Sequence, residues 1–379
     1  MAIAYRERHK MPVERQLRKN PSFVAYFLCV ALLAVLFLSS CSSWKEKIYK
    51  ETRIAMYTVT SITVSSDSKE KANTAIDRAF IELDRLANLM NFYSKDSELS
   101  AINDSAGIRP VRVSKETAEV IERAVYTSVN TGGAFDVTIG PVVRLWDFKS
   151  GIIPSEATLR EALSKVGYEN IVLDRVNNTV FLKKKGMAID LGGILKGYSA
   201  DRAVDILKQN GISSGVVAVG GEVKAFGTKL DGDAWNVGIK NPRQKGEGDE
   251  IIATIKLSDK AISTSGDYEK FMIKDGKLYH HLLDPKTGYP VYECQSVSII
   301  ADNAVDTDAF ATGIFILGPV KGMEAVKKLG LEAVIVDKNG NIFTTETLKG
   351  QLKIVGKTTV NHPPLNPLGD SSGGLSKHR

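Results

Sequence analysis

Three short segments hold the residues best suited to chemistry. The first is Asp190-Leu191-Gly192-Gly193-Ile194-Leu195-Lys196-Gly197-Tyr198-Ser199-Ala200-Asp201. It follows the apolar Met187-Ala188-Ile189, which reads as a strand, and opens a helix expected to stop near Gly211. Paired glycines at such a junction let main-chain groups approach a ligand, and the free N–H groups at a helix start suit an anion such as phosphate. Lys196 either adds a cation to that anion or is a solvated lysine beyond a structural turn. In the second segment, Val305 to Gly313, Asp308 and Thr312 lie four apart and share one face of an apolar helix expected to end near Leu317-Gly318. They are either oxygen ligands for a hard cation such as Mg2+, or an early-turn aspartate and a threonine bonded to its own helix. The third segment runs from Tyr279 to Pro290. Of five histidines in the chain, only the adjacent His280 and His281 fall within a foldable region. On a strand they point to opposite faces, so at most one enters a given site, where a near-neutral imidazole suits a general base acting on a hydroxyl.

Helices and strands intermix around these segments. Thr58–Ser65 alternates as a strand, and Ile76, Phe80, Leu83, Ala87 and Met90 recur at helical spacing, as does the pattern over Lys115–Asn130. Ile171–Val176 and Thr179–Leu182 flank Asn177-Asn178, and Phe271–Ile273 and Lys277–Tyr279 flank Asp275-Gly276; both read as hairpins. The order predicts an α+β chain with antiparallel pairing rather than a regular strand–helix alternation. No Walker sequence and no GxGxxG is present. Without an internal repeat or long linker, residues 51–357 read as one catalytic unit. Residues 358–379, rich in Pro, Gly and Ser, read as a flexible tail.

The first forty residues carry an address. Six Lys/Arg against Glu7 and Glu14 precede the uncharged run Phe23–Leu38, which ends in Leu38-Ser39-Ser40-Cys41. Such a run is short for a permanent span, and small residues before a cysteine suit a lipoprotein cleavage site. Residues 1–40 are therefore expected to be a signal peptide, Cys41 the lipidated first residue, and residues 41–50 a lipid-anchored linker. Of three cysteines, only Cys294 then remains as a free thiol, so no intramolecular disulfide is possible. With 43% hydrophobic and 25% charged residues the 379-residue chain has a globular composition. Four of its six net positive charges lie in the signal segment, and no dense basic stripe is left to bind nucleic acid.

Taken in order, these segments and several others resemble the ApbE family of FAD:protein FMN transferases, from about Ile54 to Lys357. The others are Met90-Asn91-Phe92-Tyr93, Ser97 to Asn103, Gly133-Ala134-Phe135-Asp136-Val137-Thr138-Ile139-Gly140-Pro141, Gly220-Gly221-Glu222, Trp235 to Ile239, and Thr264-Ser265-Gly266-Asp267-Tyr268. Where the family usually has Met-Gly-Thr this chain has Met56-Tyr57-Thr58. The resemblance implies a T-fold-like α+β architecture, with mixed and antiparallel sheets, packed helices and a flavin cleft between lobes. It implies FAD contacts at Met56, Tyr93, Ala134, Phe135, Asp136, Asp190, Lys196, Leu282 and Leu283. A Mg2+ site is implied at the Gly193 carbonyl, Asp308 and Thr312, with His281 near the reacting phosphate. The activity implied is transfer of FMN from FAD to a threonine or serine hydroxyl of an acceptor protein, releasing AMP. The alternatives are FAD hydrolysis to FMN and AMP, or a flavin-binding lipoprotein without chemistry. By the same resemblance the acceptors are flavin-carrying subunits of ion-pumping NADH:quinone reductase or Rnf-type complexes. The lipid anchor would hold the enzyme on the periplasmic side of the cell inner membrane.

Overall fold

Runs of antiparallel strands separated by groups of helices make up the computed structural model, which describes residues 46–243, 250–355 and 360–361. The expected signal peptide, Cys41 and most of the expected tail lie outside these residues. The chain begins with β1 (Lys47–Ala55), β2 (Thr58–Ser66), α1 (Lys69–Leu89), α2 (Glu98–Asp104), β3 (Val111–Arg112), α3 (Lys115–Asn130), α4 (Gly140–Val143) and α5 (Glu156–Leu163). It continues with β4 (Ile171–Asp174), β5 (Thr179–Leu182), α6 (Leu195–Gln209), β6 (Ser214–Val219), β7 (Glu222–Phe226), β8 (Trp235–Lys240), β9 (Ile251–Leu257) and β10 (Ala261–Gly266). The remaining elements are β11 (Phe271–Lys274), β12 (Lys277–His280), β13 (Cys294–Ala301), α7 (Ala304–Leu329), β14 (Glu332–Asp337), β15 (Ile342–Thr344), β16 (Leu352–Ile354) and β17 (Val360–Asn361).

A nine-stranded sheet in the order β1-β2-β6-β7-β10-β13-β14-β15-β17 organises the rest. Its two faces are sorted by strand alternation. Val297 and Ile299 of β13, with Ala333 and Ile335 of β14, meet the apolar residues of α7. Ile300, Val334 and Val336 point the other way, into a core shared with the small sheet β16-β9-β8. Period-two sorting of this kind is what a sheet covered on both faces requires. On the helical side α6 packs between α1 and α7, and α3 also meets α7. The expected α+β class with antiparallel pairing is what the chain adopts.

Several boundaries differ from the sequence reading, each for a local reason. The sheet starts at Lys47, so the last residues of the expected 41–50 linker belong to β1. The Ile171–Val176 strand stops at Asp174, whose carboxylate accepts N–H bonds from Val176 and Asn177 and turns the chain early. Met187-Ala188-Ile189 is extended but is not a ladder strand; only Ala188 bridges, to Ile139. The side chain of Asn103 takes the place of a partner strand, donating to the Ile189 carbonyl at 3.0 Å and accepting its N–H at 2.7 Å. Helix α7 breaks at Gly318 (φ 77°) as expected, yet resumes through Pro319 to Leu329 because proline fits a helix's first turn. The β1–β2 turn was not anticipated. Met56 and Tyr57 both hold positive φ, 53° and 60°, the conformation a two-residue hairpin demands and glycine adopts most easily.

Candidate functional site

The site is built where α6 and α7 start. Gly197 makes their close approach possible: a Cβ there would lie 2.1 Å from the Ala304 carbonyl oxygen and 2.7 Å from Asp308 Cβ. Neither helix has a side-chain cap of its own. Each borrows one from the other. Asp308 Oδ2 of α7 accepts the Gly197 N–H at 2.9 Å, and Asp201 of α6 accepts the Ala304 and Val305 N–H groups at 3.0 and 2.9 Å. Carboxylates at helix starts also oppose the positive dipole ends, so both contacts are doubly favourable.

This interlock brings together the three residues proposed for the metal. A Cβ on Gly193 would sit 3.6 Å from Thr312 Oγ1 and 3.2 Å from the Phe135 ring. Thr312 Oγ1 lies 3.1 Å from Ser265 Oγ on β10 and makes no hydrogen bond to its own helix among the described residues, whereas Thr307, earlier in α7, donates to the Ala304 carbonyl. Asp308 is 3% exposed and uses one oxygen on Gly197, which leaves Oδ1 without a hydrogen bond among the described residues. Among the described residues no group of three His, Cys, Asp or Glu is placed to hold a metal. A carbonyl, a hydroxyl and a single carboxylate are therefore what this site offers, an all-oxygen set that suits Mg2+ completing its shell with water and substrate oxygens.

Lys196 is not a solvated lysine. Its ammonium donates to Glu222 Oε1 at 2.6 Å, and Glu222 is 2% exposed. Burial works against the Lys196 charge, but Glu222, Asp308 and Glu269 together outweigh it and raise the ammonium above its ordinary value. Glu222 itself is pushed up to about 8, first by burial and also by Asp308 and Glu269, with Lys196 opposing. Two buried carboxylates, Glu222 and Asp308, and the exposed Glu269 thus act on one half-buried ammonium. Sequence reasoning assigns no role to Glu222, Glu269 or Ser265; the one signal was an acidic residue directly after paired glycines, and burial is what gives it meaning.

The residues proposed for FAD fall into two groups. Tyr93 is 81% exposed, sits edge-on to Phe92, and feels the charges of Asp190 and Arg144, whose guanidinium lies 4.6 Å from the Phe92 ring centre. Met56 is buried in the β1–β2 turn, and Tyr57 beside it accepts a hydrogen bond from Asn91, tying that turn to the Tyr93 loop. Asp190 Oδ1 accepts the Gly192 N–H at 2.8 Å and so shapes the glycine turn; burial raises its carboxyl, with Gly192, Lys270 and Arg144 opposing. The second group is spent internally. Asp136 accepts from Thr138 N and Oγ1 (2.8 and 2.6 Å) and from Tyr168 N (3.0 Å), which fixes the loop carrying the buried Ala134 and Phe135. Leu282 and Leu283 bury their side chains in two separate cores, and the Leu282 main chain is itself engaged by His280 and by the Val291 N–H.

The two histidines divide as strand alternation predicts. His280, wholly buried, donates from Nε2 to the Val291 carbonyl at 2.7 Å and accepts the Leu282 N–H on Nδ1 at 3.3 Å, so both nitrogens are used. His281 is partly exposed, and its Nδ1 lies 3.3 Å from the Lys270 carbonyl. A carbonyl only accepts, which assigns the proton to Nδ1 and leaves the Nε2 lone pair available. Burial first, then Lys270, lowers its pKa to about 4, so the imidazole is neutral at ordinary pH. Cys294 is buried and its thiol is pushed up to about 12, first by burial, which makes it inert.

Comparison with known proteins converges on one group. The sequence profile described as the ApbE family matches residues 56–335. The FAD:protein FMN transferase of Escherichia coli K12 is 33% identical over 288 residues, 74% of this chain and 80% of that protein. That of Treponema pallidum is 32% identical over 308 residues, 76% of this chain and 83% of that protein. Among solved structures, the ApbE protein of Thermotoga maritima has a TM-score of 0.75 at 36% identity, covering 80% of this chain and 99% of that one. The flavin transferase ApbE of Vibrio cholerae has a TM-score of 0.71 at 28% identity, covering 81% and 99%.

Proposed function

This chain belongs to the ApbE family and is an FAD:protein FMN transferase, and we propose that it works with Mg2+, moving FMN to a threonine or serine hydroxyl of its acceptor and releasing AMP. The observation that carries the metal and phosphate chemistry is the convergence of Gly193, Asp308 and Thr312 beside the Lys196–Glu222 pair. Gly193 through its carbonyl, Asp308 through Oδ1 and Thr312 through Oγ1 would hold Mg2+, which when bound supplies positive charge to the diphosphate. Lys196 holds a cation at the same place, and Asp190 and Asp136 keep the loops around the flavin in one conformation. The Nε2 lone pair of His281 takes the proton of the acceptor hydroxyl. Its oxygen then bonds to the FMN-side phosphorus, the P–O bond to the AMP phosphate breaks, and AMP leaves with the electron pair. Such catalysis is mainly alignment and charge stabilisation.

Incubation with FAD, Mg2+ and a candidate acceptor tests this reading. A flavinylated acceptor with stoichiometric AMP is expected; free FMN with AMP would instead indicate a hydrolase, and unchanged FAD a binding protein. As acceptors we propose the extracytoplasmic flavin-carrying subunits of ion-pumping NADH:quinone reductase or Rnf-type complexes. Lipidation at Cys41, supported by the apolar run before it, would keep the enzyme on the periplasmic face of the inner membrane. Cys41→Ser should leave an unprocessed precursor; a normally cleaved, lipid-bearing variant would exclude the site.

A further inference from the structure

The atoms that crowd the two glycines of the turn between β6 and β7, Gly220-Gly221, are mainly oxygens. A Cβ on Gly220 (φ 64°) would lie 3.1 Å from Thr58 Oγ1 and 3.7 Å from Glu222 Oε2. One on Gly221 would lie 3.3 Å from the Thr264 carbonyl and 3.4 Å from Glu269 Oε1. Glu222 Oε1 is engaged by Lys196, but Oε2 is buried with no hydrogen-bond partner, on a side chain only 3% exposed. A buried carboxylate oxygen without a partner is costly, so its retention calls for a functional or structural reason. The nearby groups are a carbonyl, two carboxyl groups and one threonine hydroxyl, and an alcohol can pair with Glu222 Oε2 in either protonation state, donating to the ionised form and accepting from the protonated one. An anion would be repelled, whereas an alcohol fits.

We propose that the oxygen-lined turn at Gly220-Gly221 is a hydroxyl subsite, in which Glu222 Oε2 shares a hydrogen bond with an alcohol group of the bound reactants. The proposal rests on the transferase reading, which supplies two alcohols: a sugar-chain hydroxyl of FAD and the side-chain hydroxyl of the acceptor. Glu222 then touches a reactant with one oxygen while fixing Lys196 with the other.

Two variants of the full chain test it. Gly221→Ala places a methyl group against Thr264 and Glu269 without a positive φ to strain it and leaves the Lys196–Glu222 pair intact. Glu222→Gln keeps one oxygen for Lys196 and sets an amide donor where Oε2 was. With thermal unfolding as the check on folding, FAD affinity is measured without acceptor, and acceptor KM at saturating FAD. If the alcohol belongs to FAD, both variants weaken FAD binding roughly ten- to hundredfold and leave acceptor KM alone; if it belongs to the acceptor, the pattern reverses. Both parameters within twofold of wild type in both variants would overturn the subsite. So would a defect confined to Glu222→Gln, since Glu222 would then act through Lys196 alone. Failure of the wild-type protein to label any acceptor would count against the transferase reading, while the FAD arm would still decide whether FAD occupies the subsite.

Discussion

Asp308→Asn should make the metal-free protein more stable while removing its response to Mg2+. In wild type, the buried Asp308 and Glu222 both act on the Lys196 ammonium, as does the exposed Glu269, which also feels Lys270 and Lys240. At an effective dielectric of about 20, a charge pair a few ångströms apart is worth up to about 4 kcal/mol, and less where one partner is exposed to solvent. At pH 8.5, where Glu222 is mostly ionised, neutralising Asp308 removes its repulsion of Glu222, a weaker screened repulsion of the exposed Glu269 and one attraction to Lys196, a net relief of about 2 kcal/mol. Asparagine still accepts the Gly197 N–H through its carbonyl, but a neutral bond is weaker than a charged one by about 1 kcal/mol. The balance is about 1 kcal/mol in favour of the variant at that pH, a rise of a degree or two in Tm. The effect should grow with pH. Glu222 titrates near 8 in the folded protein against an ordinary 4.5, so it favours folding fully below 4.5, and that contribution is lost as pH rises through 8. Asparagine at 308 takes away one cause of that raised value and should flatten the loss. Thermal unfolding with EDTA and with a Mg2+ titration, at pH 5 and pH 8.5, reads both effects. A lower Tm than wild type in EDTA at pH 8.5 would refute the charge argument, and equal stabilisation of both proteins by Mg2+ would refute the ligand assignment.

The low pKa of His281, about 4, keeps its imidazole neutral, so single-turnover transfer should stay flat from pH 8 to about pH 5 and fall only below that; a limb near 6.5 that vanishes in His281→Ala would contradict the burial argument. Gly197→Ala should cost more than about 3 kcal/mol, because its Cβ would collide with the Ala304 carbonyl and Asp308 Cβ, and Mg2+ stabilisation should disappear with it; a Tm near wild type would show that the helices can separate freely. Asn103→Ala removes both hydrogen bonds to Ile189 and should cost about 1–3 kcal/mol with weaker FAD binding, checked by denaturant unfolding and flavin titration.

Local signals made part of this structure legible. Lys115–Asn130 reads as a helix from its amphipathic stripe, and Ser114, whose side chain accepts the Thr117 N–H, starts it where expected. Asp275-Gly276 reads as a hairpin because both residues tolerate the positive φ they adopt. What escaped reading depends on residues far apart in the chain. Ile189 looks like a strand because it is apolar and extended, but its partner is a side chain 86 positions away. Tyr57 sits where glycine would be easier, so nothing in its type announces the turn. Glu222 has the composition of any surface acid, and only the packing of β7 against α6 makes it a buried partner of Lys196. Asp308 and Thr312 were visible as a pair through helical spacing; that Asp308 is tied to Gly197 rather than to its own helix was not.

The exchange of caps between α6 and α7 also decides how the polypeptide can be divided. Asp201 and Asp308 stand on opposite sides of residues 244–249, each serving the helix that lies across that interval. Fragments severed there would each carry a helix whose first N–H groups had lost their acceptor, and each carboxylate would be left beside a vacated apolar face. Neither half should fold alone, yet mixing them should restore both bonds in one event, so recovery of flavin binding would follow fragment concentration to second order. Amide exchange at Gly197, Ala304 and Val305 in the intact protein should then proceed through a shared opening, with one free energy for all three despite the hundred residues between them.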